Sequence, residues 1–445
     1  MLSEDRLYWI WLADRCGAAS KEFARLIARF DNPFEIFRLE AEELYAIDCI
    51  GNRLKDRLSE KSLERSYSIL KYCKKSGIEI ITYADKNYPS RLKTLEDPPA
   101  LLYCIGKLPD MDRKLCVGVV GTRKISAYGM RSSYKISYEL ASADVCVVSG
   151  MALGVDAVAA CAAMEAGGVT VAVLGSGIDI VYPKEHTKLQ RAISKHGAVI
   201  SEYPPAEPPY GNNFPKRNRL ISGLCQGVLV VEGNLRSGAM ITAERAIAQG
   251  REVFALPGKI NESNSEGTND LIQRGVNVAL CATDIVNHFD FLYGDVVDRT
   301  GLYLGKRKSE FSDKVLKRFG VSCEVFYGED GLLTKKKGKG EGVSSSEENG
   351  VSPDAQSDKE TRVGDSNAPR SAPVTTTEPD NSSALLESLD DMTRRVFDLM
   401  PIDRAISIDE FMTQGIGIAD AMTSLTLLEI NGLVSSLPGG TYIRK

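Results

Sequence analysis

The apolar positions of this 445-residue chain change their period several times along its length. Up to about residue 80 they recur at three- and four-residue spacing, the mark of amphipathic helices. The spacing predicts helices over Leu7–Arg15, Lys21–Phe30, Ala41–Ile47 and Arg53–Ser76, with breaks at Asp31-Asn32-Pro33 and Gly51-Asn52. Residues 1–80 therefore read as a helical domain of SAM or helix-hairpin-helix type. The Ile50-Gly51-Asn52-Arg53 turn suits a phosphate contact, but the preferred reading is a helical cap on the domain that follows.

From about Lys114 to Phe289 the pattern becomes short, unbroken apolar runs separated by helical segments. The runs are Leu115–Val120, Val145–Ser149, Thr170–Leu174, Ala198–Ser201, Val228–Glu232, Glu252–Leu256 and Val276–Cys281. Without polar alternation both faces of such strands must be buried, and intervening helices impose parallel crossovers. Residues 81–299 are thus expected to form an α/β domain with a doubly wound parallel sheet. Residues 300–384 lose all periodicity. A basic run, Lys335 to Lys339, leads into a tract rich in Ser, Glu, Asp, Pro and Thr that is expected to be a disordered linker. Order returns over 385–445, where helices at Asp390–Leu399, Ile408–Thr413 and Ile418–Asn431 precede a hairpin built on Pro438-Gly439-Gly440. Three short helices and a hairpin describe a winged helix.

Charge changes the picture only locally. With 55 basic and 60 acidic residues the net charge is −5, which excludes a protein coated in positive charge but not one with a basic groove. The ten cysteines form no Cys-x-x-Cys pair, and several, such as Cys116, Cys146 and Cys281, sit inside apolar runs. They read as small buried hydrophobes in a reducing compartment, without metal or disulfide. No stretch approaches ~20 uninterrupted apolar residues, so no membrane span is expected, and the chain reads as cytoplasmic.

In an open parallel sheet, ligands gather outside the carboxyl ends of the strands. Those ends carry Gly121-Thr122-Arg123-Lys124, Ser149-Gly150, Gly175-Ser176-Gly177 leading to Tyr182-Pro183-Lys184, and Ser201-Glu202-Tyr203. Phe214-Pro215-Lys216-Arg217-Asn218-Arg219, Arg236-Ser237-Gly238 and Pro257-Gly258-Lys259 complete the series. Glycine or serine at strand-to-helix turns leaves backbone N–H groups free for anions, and the helix dipole favours them. Arginine and lysine recur beside these turns, although residues 110–290 hold 18 basic and 18 acidic residues in all. Several phosphate nests in a row suit a nucleic-acid strand better than one mononucleotide. The site expected from the sequence is therefore Gly121, Arg123, Lys124, Ser149, Gly150, Gly175, Lys184, Phe214, Lys216, Arg217, Asn218, Arg219, Ser237, Gly238 and Lys259. Tyr182, Tyr203, Tyr210 and Phe214 lie in the same loops and could stack on bases. Asp156 is read as holding an arginine or capping its helix, and His186 as a surface residue with no catalytic partner. A dinucleotide cofactor is not expected: Gly118-Val119-Val120-Gly121 is not the Gly-x-Gly-x-x-Gly fingerprint, and Ser149 stands where a ribose-binding carboxylate belongs. No catalytic residues are assigned.

Taken in order, these loops resemble the DNA-processing protein A (DprA/Smf) family. The resemblance rests on Gly121-Thr122-Arg123, Ser149 to Asp156, Gly175 to Pro183, Ser201 to Pro205, Phe214 to Arg219, Ser237 to Ala243 and Ala255 to Lys259. Asn87 to Leu92 and Asp97 to Tyr103 are similar to its lead-in. It implies an extended Rossmann-like domain that binds single-stranded DNA, a homodimer, and loading of a RecA-type recombinase in natural transformation or recombination. It also implies DNA contacts at Arg123, Lys184 and Arg217 to Arg219. One departure is Ala159-Ala160, where the family usually has Ala-His. The competing reading is a nucleotide-binding hydrolase of nucleoside monophosphates, suggested loosely by Ser237 to Glu244. From Leu385 to Lys445 there are five basic and nine acidic residues, and Ile418–Asn431, in the place of a recognition helix, carries Asp420 and Glu429 without a cation. The winged helix is therefore expected to meet protein rather than duplex DNA.

Overall fold

The computed structural model describes residues 2–322, 389–401, 404–437 and 441–444, in two units divided near residue 335. The first unit opens with six helices: α1 (Leu2–Cys16), α2 (Lys21–Phe30), α3 (Pro33–Arg38), α4 (Ala41–Tyr45), α5 (Asn52–Ser59) and α6 (Glu64–Ser76). The predicted punctuation is visible. Ser20 caps α2 by accepting from the Phe23 amide, and Asn32 caps α3 with Pro33 in its first turn. The single helix expected over Arg53–Ser76 is instead two. The Glu60 carbonyl, which would serve the helix ladder, accepts from Trp11 Nε1 at 3.1 Å and Arg15 at 3.2 Å. A tertiary anchor replaces the local bond there. At Gly51 the backbone N–H donates to Glu22 at 2.7 Å, so that turn is filled from within.

A nine-stranded sheet follows, built from β1 (Glu79–Thr82), β2 (Leu101–Gly106), β3 (Cys116–Val120), β4 (Cys146–Ser149), β5 (Thr170–Leu174), β6 (Gly197–Ser201), β7 (Gly227–Val230), β8 (Glu252–Ala255) and β9 (Asn277–Val278). Its order is β1-β2-β6-β5-β4-β3-β7-β8-β9. The pairs from β6 through β9 are all parallel, with Val119 opposite Leu229 and Val148 opposite Val171. Between strands run α7 (Ser90–Lys93), α8 (Ala127–Ser142), α9 (Val155–Glu165), α10 (Thr187–His196), α11 (Asn213–Leu224), α12 (Gly238–Ala248) and α13 (Ser263–Gln273). Residues of α8, α9 and α10 share one core with the N-terminal helices, while α11, α12 and α13 share the other, so the sheet is covered on both faces. The doubly wound expectation holds, with one correction. β1 and β2 pair antiparallel, and β2 joins β6 antiparallel, extending the sheet beyond its predicted edge. β1 in turn packs against α1 and α6.

The helix α9 is buried along its length, with Ala159 and Ala160 in the core against α8. Close approach of two helices suits alanine at both positions. Two buried thiols, Cys73 and Cys104, are pushed away from reactivity, rising to about 12 chiefly by desolvation. At the far end the sheet stops at β9, with Val278 and Leu280 exposed. Beyond it come α14 (Ala282–His288) and α15 (Asp290–Tyr293), where Phe291 is 99% exposed and Leu292 71%.

The expected linker does not begin at residue 300. α16 (Arg299–Lys308) and α17 (Asp313–Arg318) bury Leu302, Val315 and Leu316 and pack against α8 and α9. Sequence periodicity misses them because each helix buries only two residues. The expected disordered tract, including Lys335 to Lys339, falls outside the described residues. In the second unit, α18 (Asp391–Leu399), α19 (Ile408–Thr413) and α20 (Ile418–Ile430) surround Val396, Phe411, Leu425 and Leu428. A sheet of order β10 (Ile406–Ser407), β12 (Thr441–Arg444), β11 (Val434–Leu437) accompanies them. The hairpin strands fall where expected, and β10 is an additional partner.

Candidate nucleic-acid interface

The strand order reverses between β3 and β7, which opens a crevice at their carboxyl ends. Gly121 sits at its base. The Thr122 amide donates to the Glu232 carbonyl at 2.7 Å, and a side chain at 121 would lie 2.4 Å from Val155 Cγ2. Gly154 closes the neighbouring loop at φ +75°, where an added carbon would meet the Thr122 carbonyl at 2.3 Å. These two contacts seat the β3 and β4 loops against each other and leave Arg123 and Lys124 exposed above them. The Asn264 side chain donates to the Lys124 carbonyl at 2.9 Å and fixes the outer turn.

Beside Arg123 lies a small concavity of about 40 Å³, lined by Arg123, Gly150, Ala152, Leu153, Tyr182 and Phe214 among others. The Tyr182 and Phe214 rings are 5.3 Å apart, and the Arg123 guanidinium stands 5.7 Å from the Phe214 centroid. Phe214 rests on Gly175, whose added Cβ would come within 2.9 Å of the ring. Lys184, in a single 3₁₀ turn, and Lys216, in the first turn of α11, are both exposed. Arg236, Gly238 and Lys259 are exposed farther along the same edge, and Lys259 pairs with Glu262 at 3.1 Å. The first turn of α12 has open space at Gly238. These groups present positive charge, two rings and a helix N-terminus to solvent on one side of the sheet.

Several expected contacts are turned inward instead. The Ser149 hydroxyl is buried and donates to the Val119 carbonyl at 2.7 Å. The nest at Gly150 is already occupied: its N–H and that of Ala152 donate to Asp156 at 3.1 and 3.3 Å. Burial raises the Asp156 carboxyl above its ordinary value, against the pull of Arg217 and Arg123. Arg217 is buried as well. It donates to the Gly150 carbonyl at 3.0 Å and to the Val173 carbonyl, and desolvation lowers it to about 10. It forms the floor of the concavity rather than its rim. Asn218 ties α11 to the Gly238 carbonyl at 3.3 Å. Arg219 is wholly interior, donating to both Glu202 oxygens at 2.8 Å and ion-paired with Asp97 at 3.2 Å. A phosphate cannot reach Ser149 Oγ, the Gly150 amide, Asn218 or Arg219 without unfolding these contacts. The cause is that α11 is buried on all sides from Arg217 to Leu224, so that only its first turn, with Lys216, reaches solvent.

The other assignments divide similarly. Asp156 caps its loop as read, and Glu232 accepts from the Ser126 amide at 3.0 Å and from the Ser126 hydroxyl. Tyr203 is buried, its hydroxyl donating to the Asn213 carbonyl at 3.2 Å, while Tyr182 and Tyr210 are exposed. Thr242 donates back to Gly238 at 3.2 Å and Glu244 points to solvent, so the constellation behind the hydrolase reading does not assemble. His186, read as a surface residue, is 1% exposed. Leu153 and Pro183 also line the concavity; the sequence places both in strand-end loops, but an apolar residue there carries no sign that it walls a site. Among the described residues, no group of acidic, cysteine and histidine side chains is arranged for a metal, and no helix is long and apolar enough to cross a membrane.

Comparison with known proteins follows the same span. The profile of the DNA recombination-mediator protein A family matches residues 79–290. The DNA processing protein DprA of Streptococcus pneumoniae is 43% identical over 207 residues, covering 46% of this chain and 73% of that protein. The DNA processing protein DprA of Bacillus subtilis is 39% identical over 217 residues, covering 49% and 73%. The X-ray structure of the Streptococcus pneumoniae protein covers 63% of this chain and 97% of its own, at 32% identity and a TM-score of 0.55.

Proposed function

The chain belongs to the DNA-processing protein A family, and we propose that it binds single-stranded DNA along the strand ends of its sheet and delivers the strand to a RecA-type recombinase. The observation that carries this reading is the concavity beside Arg123, where an exposed tyrosine and a half-buried phenylalanine stand with Arg123 over buried Arg217, and exposed Lys184 and Lys216 follow each ring two residues along the chain. Rings of that kind stack on bases whatever their identity, and cations beside them track a backbone. A duplex keeps its bases paired and offers such a pocket nothing to hold. The relatives' designation as DNA processing proteins agrees with this role. We further read the second unit as a winged helix that meets protein, and the chain as a cytoplasmic homodimer. The bare end of the sheet, with Leu280, Phe291 and Leu292 exposed, supports self-association.

The reading is tested by titrating a labelled oligothymidylate with the full chain at several salt concentrations. Three phosphate contacts predict that log K falls with log salt at a slope of roughly 2. Binding that ignores salt, or a preference for duplex, contradicts the proposal. Tyr182→Ala is expected to weaken binding roughly tenfold, since a stacked base contributes about 1–3 kcal/mol. Its melting temperature should stay at the wild-type value, because the ring is 40% exposed.

A further inference from the structure

The 3₁₀ turn that carries Lys184 ends in His186, and this histidine is buried although its neighbours Lys184 and Glu185 are exposed. Its Nδ1 lies 2.9 Å from the Met151 carbonyl. A carbonyl only accepts, so the proton sits on Nδ1 and Nε2 is left as a bare lone pair. That second nitrogen is buried and has no hydrogen-bond partner. Burial also holds the imidazole below its ordinary pKa, in keeping with a neutral ring. Met151 is itself unusual, buried at φ +56° in the loop between β4 and α9. Its chain neighbours Gly150, Ala152 and Leu153 line one wall of the concavity, and Tyr182 and Pro183 line another. The hydrogen bond therefore joins the two walls from beneath, one residue from Ala152 and two from Lys184.

We propose that His186 is a positioning residue for strand binding: its Nδ1–H, held by the Met151 carbonyl, sets the width of the concavity and the height of Lys184 above it. This rests on the single-stranded DNA reading of the site. The ring touches no solvent, so its effect on DNA passes through Lys184 and the loop that Met151 belongs to. An asparagine places a donor where Nδ1 is and satisfies the carbonyl; a glutamine places its amide where Nε2 is; a leucine does neither.

The test uses oligothymidylate binding by the full chain across salt. His186→Leu is expected to weaken binding several-fold and to lower the salt slope by about 0.7, the value of one single-strand phosphate contact. His186→Asn should restore both. Lys184→Ala should produce the same loss of slope, and the double variant H186L/K184A should bind no more weakly than K184A alone. A merely structural role predicts additive losses and an unchanged slope. If H186L does not fold, H186Q carries the comparison with H186N, and equal slopes in those two variants overturn the proposal. So does wild-type slope in a folded H186L, or additivity in the double variant. If the wild-type chain itself does not bind oligothymidylate, the reading of the site fails, a result distinct from any of these.

Discussion

Replacing Arg219 with alanine is expected to lower the melting temperature by about 10 °C while leaving the salt slope of DNA binding unchanged in whatever protein remains folded. Arg219 is 2% exposed and holds Glu202 through two bonds of 2.8 Å, with Asp97 at 3.2 Å. Removing the guanidinium strands a buried carboxylate, and breaking such a pair typically costs about 3–5 kcal/mol. For a domain of this size each kcal/mol lowers the melting temperature by roughly 2–4 °C. Glu202 also accepts from the Ala19 amide at 3.3 Å, so the loss spreads to the junction of the helical region with the sheet. Thermal unfolding followed by circular dichroism measures the effect. A stable R219A that has lost its salt slope would place the arginine back among the DNA contacts.

The opposite pattern is expected when Arg123, Lys184 and Lys216 are changed together to alanine. Each is exposed, so folding should be untouched. Each lost phosphate contact should remove about 0.7 from the slope of log K against log salt, roughly 2 for the three. Near 0.1 M salt that amounts to about a hundredfold weaker binding. Fluorescence anisotropy on a short oligothymidylate, with melting curves alongside, separates the two outcomes. A triple variant that binds within threefold of wild type would move the interface elsewhere.

These two expectations mark where sequence reasoning reached its limit. Unbroken apolar runs such as Val145–Ser149 and Thr170–Leu174 announced buried parallel strands, because only a sheet covered on both faces tolerates them. The glycines after β3 and β4 were legible as tight turns. The direction of Arg217 and Arg219 was not. Three cations in four residues look like a basic patch until the helix that carries them is sunk into the fold beyond Lys216, and the partner of Arg219, Asp97, lies far away in sequence. The same limit applies to the nest at Gly150. Glycine and serine foretold free amides, yet Asp156, six residues along, folds back and takes them. The burial of His186 is not legible either, because a lone histidine beside lysine and glutamate carries no sign of it. β1 and β2 escaped notice since antiparallel strands before the first crossover lie outside the alternating rhythm that revealed the others.

The two ends of the sheet are built differently, and that asymmetry bears on the homodimer proposed above. At one end β1 is backed by α1 and α6; at the other, β9 is two residues long and followed by bare leucine and phenylalanine side chains. So short a strand offers few backbone bonds, which leaves apolar surface as the adhesive. In the proposed homodimer, joining through the β9 end would use up the apolar surface of both copies, so the assembly would stop at a pair and leave no fresh acceptor on which a fibre could grow.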